Sequence, residues 1–205
     1  LVATLNEHSQ IGMISPKIKY FDEPERIQYA GYTPMNYFTA RNSCIGLYEV
    51  DNGQFNQVVA KTGYIHGAAM MVRKEAIEKA GLMSENFFLY FEEYDWCDRI
   101  QQNGYSIWVN LNACIYHKES VSVGKNSALK EYFMNRNRIL FIRRNAAFYQ
   151  KLFFYVYFLA LVVPRNIITY IKNGDPNFIK QLFKAIWWNC TNSVNSTYLG
   201  FPLKK

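Results

Sequence analysis

Between Gln10 and Tyr116, apolar runs of strand length alternate with short helical stretches. That alternation points to a layered α/β domain. Gln10 to Ile18 reads as a buried strand interrupted at Pro16, which has no N–H for a ladder. Gly67 to Val72 is a second run of strand length, and Arg73 to Ala80 reads as a short helix that Gly81 ends in a left-handed conformation. Glu92 to Asn103 reads as a further helix with acids in its first turn and Gly104 as its stop. Residues 106–110 and 113–116 read as two short strands around a tight connection. Tyr20 to Ile65 shows no helical period; its Asp51-Asn52-Gly53 turn signal predicts a hairpin between Leu47–Val50 and Phe55–Val59. So long a stretch inside a compact domain marks a functional excursion.

The charge is segregated. Residues 1–119 hold 10 Lys/Arg and 14 Asp/Glu, whereas 120–205 hold 13 and 2. The front is mildly acidic and the back strongly basic, which suits an anionic partner for the back half, a membrane surface or a nucleic acid. Ser127 or Asn126 can cap a helix running towards Asn145 that carries Lys130, Arg136, Arg138, Arg143 and Arg144. Leu152–Val163 then runs for 12 residues without a charge and meets Pro164-Arg165. A membrane span needs about 20 apolar residues. The run therefore predicts a helix lying in or dipping into a membrane interface between basic anchors, with a core helix as the alternative. No nucleic-acid recognition motif accompanies the basic residues, so no nucleic acid is expected as a partner.

Cys44, Cys97, Cys114 and Cys190 show no Cys-x-x-Cys spacing. Free thiols in a reducing compartment and a disulfide both remain open. Asn189-Cys-Thr and Asn195-Ser-Thr match the glycosylation pattern, which is short and common by chance. No secretory signal opens the chain. Leu1 to His8 reads like the end of a helix, and the chain is expected to be a fragment of a longer protein.

Glu92-Glu93-Tyr94-Asp95 places three carboxylates in four residues. Acids in a first helical turn complement the helix dipole, and Arg99 sits where it can neutralise Glu92 or Asp95. The preceding Phe87-Phe88-Leu89-Tyr90-Phe91 is apolar throughout. It would set the acids at the mouth of an aromatic-walled pocket, where flat rings suit sugar faces and desolvation raises a carboxyl towards the range of a general base. His117, at a strand end, is a metal ligand, a base or a satisfied structural residue.

Read in order, these segments resemble a known family. They are Gly63 to Glu75 (Gly-Tyr-Ile-His-Gly-Ala-Ala-Met-Met-Val-Arg-Lys-Glu), Gly81 to Arg99, Gly104-Tyr105, His117-Lys-Glu-Ser120 and Tyr132-Phe-Met-Asn-Arg-Asn-Arg138. Together they resemble the C-terminal, acceptor-side half of family 2 inverting glycosyltransferases, closest to bacterial rhamnosyltransferase-like and galactosyltransferase-like members that build surface polysaccharides. The resemblance spans roughly residues 10–145. It implies a partial GT-A-like α/β domain over 1–122, followed by a helical, basic and aromatic extension over 123–205. It places Glu93 as the general base, where the family more often has Asp, and Asp95 at a further acidic position of the motif. It places His66, Gly67, Ala68, Phe91 and Glu92 on the acceptor side, and His117 at a divalent metal, manganese or magnesium.

The partners implied are a nucleotide-sugar donor, a saccharide or lipid-linked acceptor, and an anionic membrane surface met through residues 125–172. The placement implied is cytoplasmic, peripheral at the inner face of the cell membrane. The family's nucleotide-binding half and its Asp-x-Asp-like motif have no match here, so the chain alone is expected to be inactive and to need that half to complete the metal site. The alternative is a non-catalytic, membrane-bound carbohydrate-binding module.

Overall fold

A computed structural model describes residues 1–118 and 127–202. The chain forms two units interleaved in the sequence: Leu1–Met35, Asn42–Met83 and Glu93–Val121 make the first, and Asn36–Arg41, Ser84–Glu92 and Ser122–Lys205 the second. The boundary expected between residues 122 and 123 lies outside the described residues.

In the first unit, helix α1 (Val2–Glu7) leads into the central strand β1 (Ile11–Tyr20). Every residue of β1 except Lys19 is buried, as a strand covered on both faces must be. Along one edge it pairs antiparallel with β2 (Ile27–Tyr29) and with β4 (Met71–Val72), and elsewhere it runs parallel to β5 (Ser106–His117). β3 (Val59–Lys61) closes the far side, antiparallel to β5. The sheet is therefore mixed. Leu5 of α1 packs with Ile11 and Ile14, while Cys97 of the helix α3 (Glu92–Gln102) reaches Met13. Helices α1 and α3 thus both pack on β1, and the chain has the mixed α/β character expected of it.

Gly12 permits the close approach of α3: a Cβ there would lie 2.7 Å from Ile100 Cγ2 and 2.6 Å from Tyr105 Cβ. Helix α2 (Lys74–Ala80) ends at Gly81 with φ 75°, as its sequence position predicts.

Two expectations change. Pro16 does not break β1; it marks a register shift. Pro16 pairs with Asn110, but Lys17 pairs with Cys114, so the two short strands expected over 106–116 are one strand carrying a bulge at 111–113. The hairpin between 47–50 and 55–59 does not form. Residues 45–50 are drawn instead to the outer side of β2, where Ile27 N–H donates to Glu49 O and Ala30 N–H to Ile45 O. Asp51 is then anchored on β1, 2.8 Å from Lys17 Nζ and 3.4 Å from Lys19 Nζ. Buried β2 donors and a buried lysine outcompete the local turn.

In the second unit, helix α4 (Ala128–Asn145) is capped by Ser127, whose hydroxyl accepts from Lys130 N–H at 3.1 Å; the alternative cap Asn126 lies outside the described residues. Phe148–Lys172 is one continuous helix made of α5 (Phe148–Tyr157), a π-helical stretch (Phe158–Val162) and α6 (Val163–Lys172), with Pro164 at the entry to α6. A further helix that the sequence analysis leaves unassigned, α7 (Pro176–Thr191), lies against α4. The Arg136 guanidinium stacks 3.9 Å from the Trp188 ring, and Asn189 Nδ2 donates to Arg136 O at 3.0 Å. Proline at the first turn gives α7 its start.

Asp51 offers a stability test. Burial alone would raise its carboxyl, but the Lys17 hydrogen bond and charge outweigh that and hold it below its usual value. A lowered carboxyl contributes stability that is complete above the unfolded value of about 3.9 and is lost as pH falls through the folded value. Asp51→Asn should cost about 3 kcal/mol at neutral pH by leaving Lys17 without its countercharge. It should also remove part of the acid dependence below about pH 4, read by urea titration across pH.

Candidate functional site

Three segments of the first unit bring chemistry-bearing side chains together: the loop before β4, the start of α3, and the end of β5. The rings of His66 and His117 lie 6.0 Å apart. His66 also stacks nearly parallel to Tyr32 at 6.5 Å and lies 5.6 Å from Tyr29. Tyr94 meets Tyr32 edge-on at 5.6 Å and Tyr64 at 5.0 Å. A methyl on Gly67 would sit 4.0 Å from the Glu93 carboxylate, so that glycine backs directly onto it. Oε2 of Glu93 is shielded from solvent. Burial, with the Glu93 charge adding to it, pushes the hydroxyls of Tyr32 and Tyr94 up.

Hydrogen bonds distinguish the two histidines. The Ala68 N–H donates to His66 Nδ1 at 3.1 Å, which leaves the His66 proton on Nε2. Burial, and then the neighbouring His117, lowers His66 to about 4, so at neutral pH it is an uncharged donor. His117 Nδ1 lies 2.9 Å from Gln28 Oε1, an acceptor, so this contact is made with Nδ1 donating and leaves Nε2 facing elsewhere.

Of the residues singled out in the sequence, His66, Gly67, Glu93 and His117 fall in this cluster. Ala68 packs on the core cluster formed by Ile18, Ile27, Tyr29, Val109 and Leu111 and orients His66 through its N–H. Asp95 is fully buried, and its Oδ2 holds Arg99 Nε at 2.9 Å. That guanidinium in turn donates to the carbonyls of Ala80 and Leu82, so Asp95 secures the end of α2. Gln28, Tyr32 and Tyr94 were not singled out. Gln28 and Tyr32 carry no motif and are gathered only by the folding of the long excursion, whereas Tyr94 sits within the acidic motif of α3 itself.

Phe91 and Glu92 belong to the second unit. Phe91, expected to stack on an acceptor, is 7% exposed and packs on Phe141 at 5.7 Å. The aromatic run is not an open pocket wall. Phe87 is completely buried, and Phe88, Tyr90 and Phe91 hold φ of 64°, 67° and 71°. Positive φ in bulky residues persists only where surroundings over-determine it. Here Asn137 Nδ2 lies 2.8, 2.6 and 2.9 Å from the carbonyls of Phe87, Leu89 and Tyr90. Arg136 donates to Asn86 O, and Arg144 to Ser84 Oγ and Asn86 Oδ1. Glu92 follows this turn; Oε2 of its carboxyl is buried without a hydrogen-bond partner, and burial raises the group.

Among the described residues no group of three or more His, Cys, Asp and Glu side chains is gathered as a metal ion requires. His66, with a hydrogen bond already on Nδ1, and His117 do not form a metal centre by themselves.

No protein-family model matches the chain. Over 82 residues it is 29% identical to the low-salt glycan biosynthesis hexosyltransferase Agl10 of Haloferax volcanii, an archaeal protein. The match covers 38% of this chain and 25% of that relative, so the chain corresponds to about a quarter of the relative's length.

Asn137→Ala would remove the amide donor shared by the carbonyls of Phe87, Leu89 and Tyr90, leaving Phe87 O to Arg136. A loss of about 3 kcal/mol is expected in chemical denaturation. Exposed Phe88→Ala on the same turn should cost under about 1 kcal/mol by the same measurement.

Proposed function

We propose that the chain is the acceptor-side part of a glycosyltransferase, with Glu93 as the general base of an inverting transfer. The observation that carries the reading is the Glu93 carboxylate beside Gly67, its Oε2 shielded from solvent and its charge felt by Tyr32 and Tyr94, with the His66–His117 pair alongside. The partial likeness to a hexosyltransferase supports the same class.

In the proposed reaction an acceptor hydroxyl gives its proton to Glu93 while its oxygen attacks the anomeric carbon of a nucleotide sugar. The C–O bond to the nucleoside diphosphate breaks on the opposite face, and configuration inverts. The shielded Oε2 leaves the other carboxylate oxygen to meet the acceptor hydroxyl. The His66 Nε2–H is available to orient a sugar oxygen. The divalent metal implied for such enzymes would need ligands beyond the described residues, with His117 Nε2 as the nitrogen offered among them. A saccharide or lipid-linked acceptor, and a role in surface polysaccharide synthesis, belong to the same proposal. Asp95, tied to Arg99, is assigned a supporting role rather than proton transfer.

The second unit supplies the second part of the reading, attachment to the inner face of a membrane. Phe148–Lys172 is long and apolar enough to cross a membrane by length and composition. Phe148, Val156, Leu161 and Ile171 on it are each at least 60% exposed. It contains no acid and carries Lys151, Arg165 and Lys172. An interfacial helix among anionic headgroups uses both features.

Glu93→Gln keeps shape and removes the base. In a transfer-competent polypeptide containing this chain it should lower kcat by about 100- to 10,000-fold with little change in Tm. Unchanged turnover would leave the carbohydrate-binding module as the better reading. Separately, the chain should bind anionic vesicles and release them as salt rises towards about 1 M, where screening shortens to about 3 Å. Equal indifference to neutral and anionic vesicles would assign the apolar helix to a protein contact instead.

A further inference from the structure

The second unit contains a cluster of arginines that neither the transfer chemistry nor the packing accounts for. Arg138 projects from α4 towards the end of α5, its guanidinium 5.9 Å from the centre of the buried Phe158 ring and donating to Thr39 O. The Tyr157 hydroxyl is within its reach, Arg165 follows Tyr157 by about two turns on the same helix, and the charges of Arg41 and Arg165 both act on Arg138. Arg41 itself lies over the Tyr157 ring at 6.0 Å. Arg138 Nε is buried and has no hydrogen-bond partner. Among the described residues no carboxylate lies within ion-pair distance of Arg41, Arg138 or Arg165.

Three converging cations with no countercharge, one of them largely removed from water, are an unfavourable arrangement for a protein that meets nothing there. Desolvation and its two like-charged neighbours lower Arg138, which accords with a missing anion. Guanidinium groups match phosphate oxygens with paired donors, and a convergent set fits a dianionic group better than a lone carboxylate. The site's position narrows the ligand further. Tyr157, Phe158 and Arg165 belong to the helix whose Val156, Leu159 and Leu161 are exposed. A ligand held by these arginines therefore has apolar surface directly beside its charged end.

We propose that Arg41, Arg138 and Arg165 form a binding site for the terminal phosphate or diphosphate of a lipid whose hydrocarbon lies along the 148–172 helix. This rests on the reading of that helix as lipid-facing and is independent of the role given to Glu93. The accessible part of the Arg138 guanidinium would donate to a phosphate oxygen, and the exposed Arg41 and Arg165 would close on the group from outside.

The test uses the full chain and two kinds of phosphatidylcholine vesicle, doped to equal charge with phosphatidic acid, a bare phosphomonoester, or phosphatidylglycerol, a diester. The wild type should bind the phosphatidic acid vesicles about 10-fold more tightly. Arg138→Lys, which keeps the charge, should abolish that preference while binding to phosphatidylglycerol is retained. The double variant Arg41→Gln/Arg165→Gln, confined to exposed positions, should do the same and serves if Arg138→Lys does not fold. No preference in the wild type, or equal loss on both vesicles, overturns the site. Failure of the wild type to bind either vesicle overturns it together with the lipid-facing helix, leaving the Glu93 reading standing. Calorimetry with inorganic diphosphate separates a soluble ligand from a lipid. If diphosphate binds through Arg138 while vesicle preference is insensitive to Arg138, the lipid assignment is overturned.

Discussion

The first unit depends on how β1 and β5 keep company across Pro16. Up to that point the parallel ladder is nearly regular, with Ile14 beside Trp108 and Ser15 beside Val109. Then β1 advances one residue while β5 advances four. The mismatch is odd, so it exchanges the faces that the two strands present to each other. Ile18 and Tyr20 thereby come level with Ile115 and His117 rather than with residues three earlier. Ile115 joins Ile18 in the core, and His117 reaches Gln28 of β2. Without the shift the histidine would be out of register with β2. A residue that cannot donate to a ladder is thus used to place one that carries chemistry.

The second unit has its own over-determined point. Three bulky residues with positive φ follow the buried Phe87. Each costs of the order of 1–3 kcal/mol, and the turn is kept by one amide, Asn137, aided by Arg136 and Arg144. α4 is therefore more than a basic helix. Its Arg136 and Asn137 are fully buried and spent on the backbone of a turn nearly fifty residues earlier. Arg138 is used differently: Arg41 and Arg165 act on it, and among the described residues no carboxylate lies within ion-pair distance of it.

The two proposed surfaces differ in physical kind. Around Glu93 the site gathers acidic and aromatic groups beside two histidines, which suits the proton transfer proposed for it. Along 148–172 the groups are apolar and basic, which suits the proposed binding of an anion at a hydrocarbon boundary. The segregation of charge between the two halves of the sequence reflects that difference.

The sequence by itself determined the elements whose causes are local. Glycine at 81, a serine at 127 and acids at the start of α3 each act within a few residues and each appears in the structure as read, while the uncharged apolar run appears as part of a longer helix that continues past Pro164 to Lys172. The neighbourhood of Glu93 was legible as a motif, and His66 and His117 as its companions. Tertiary structure decided the rest, because the forces were long-range. Lys17 and the β2 donors overrode the Asp-Asn-Gly hairpin signal. Asn137 imposed a turn on a run with no glycine to announce it. Asp95 and Phe91 were taken up by Arg99 and Phe141, partners that a motif does not display. Gln28 and Tyr32 entered the site, and Arg41 met Arg138 and Arg165, only because distant segments fold onto shared ground, which local propensity does not encode.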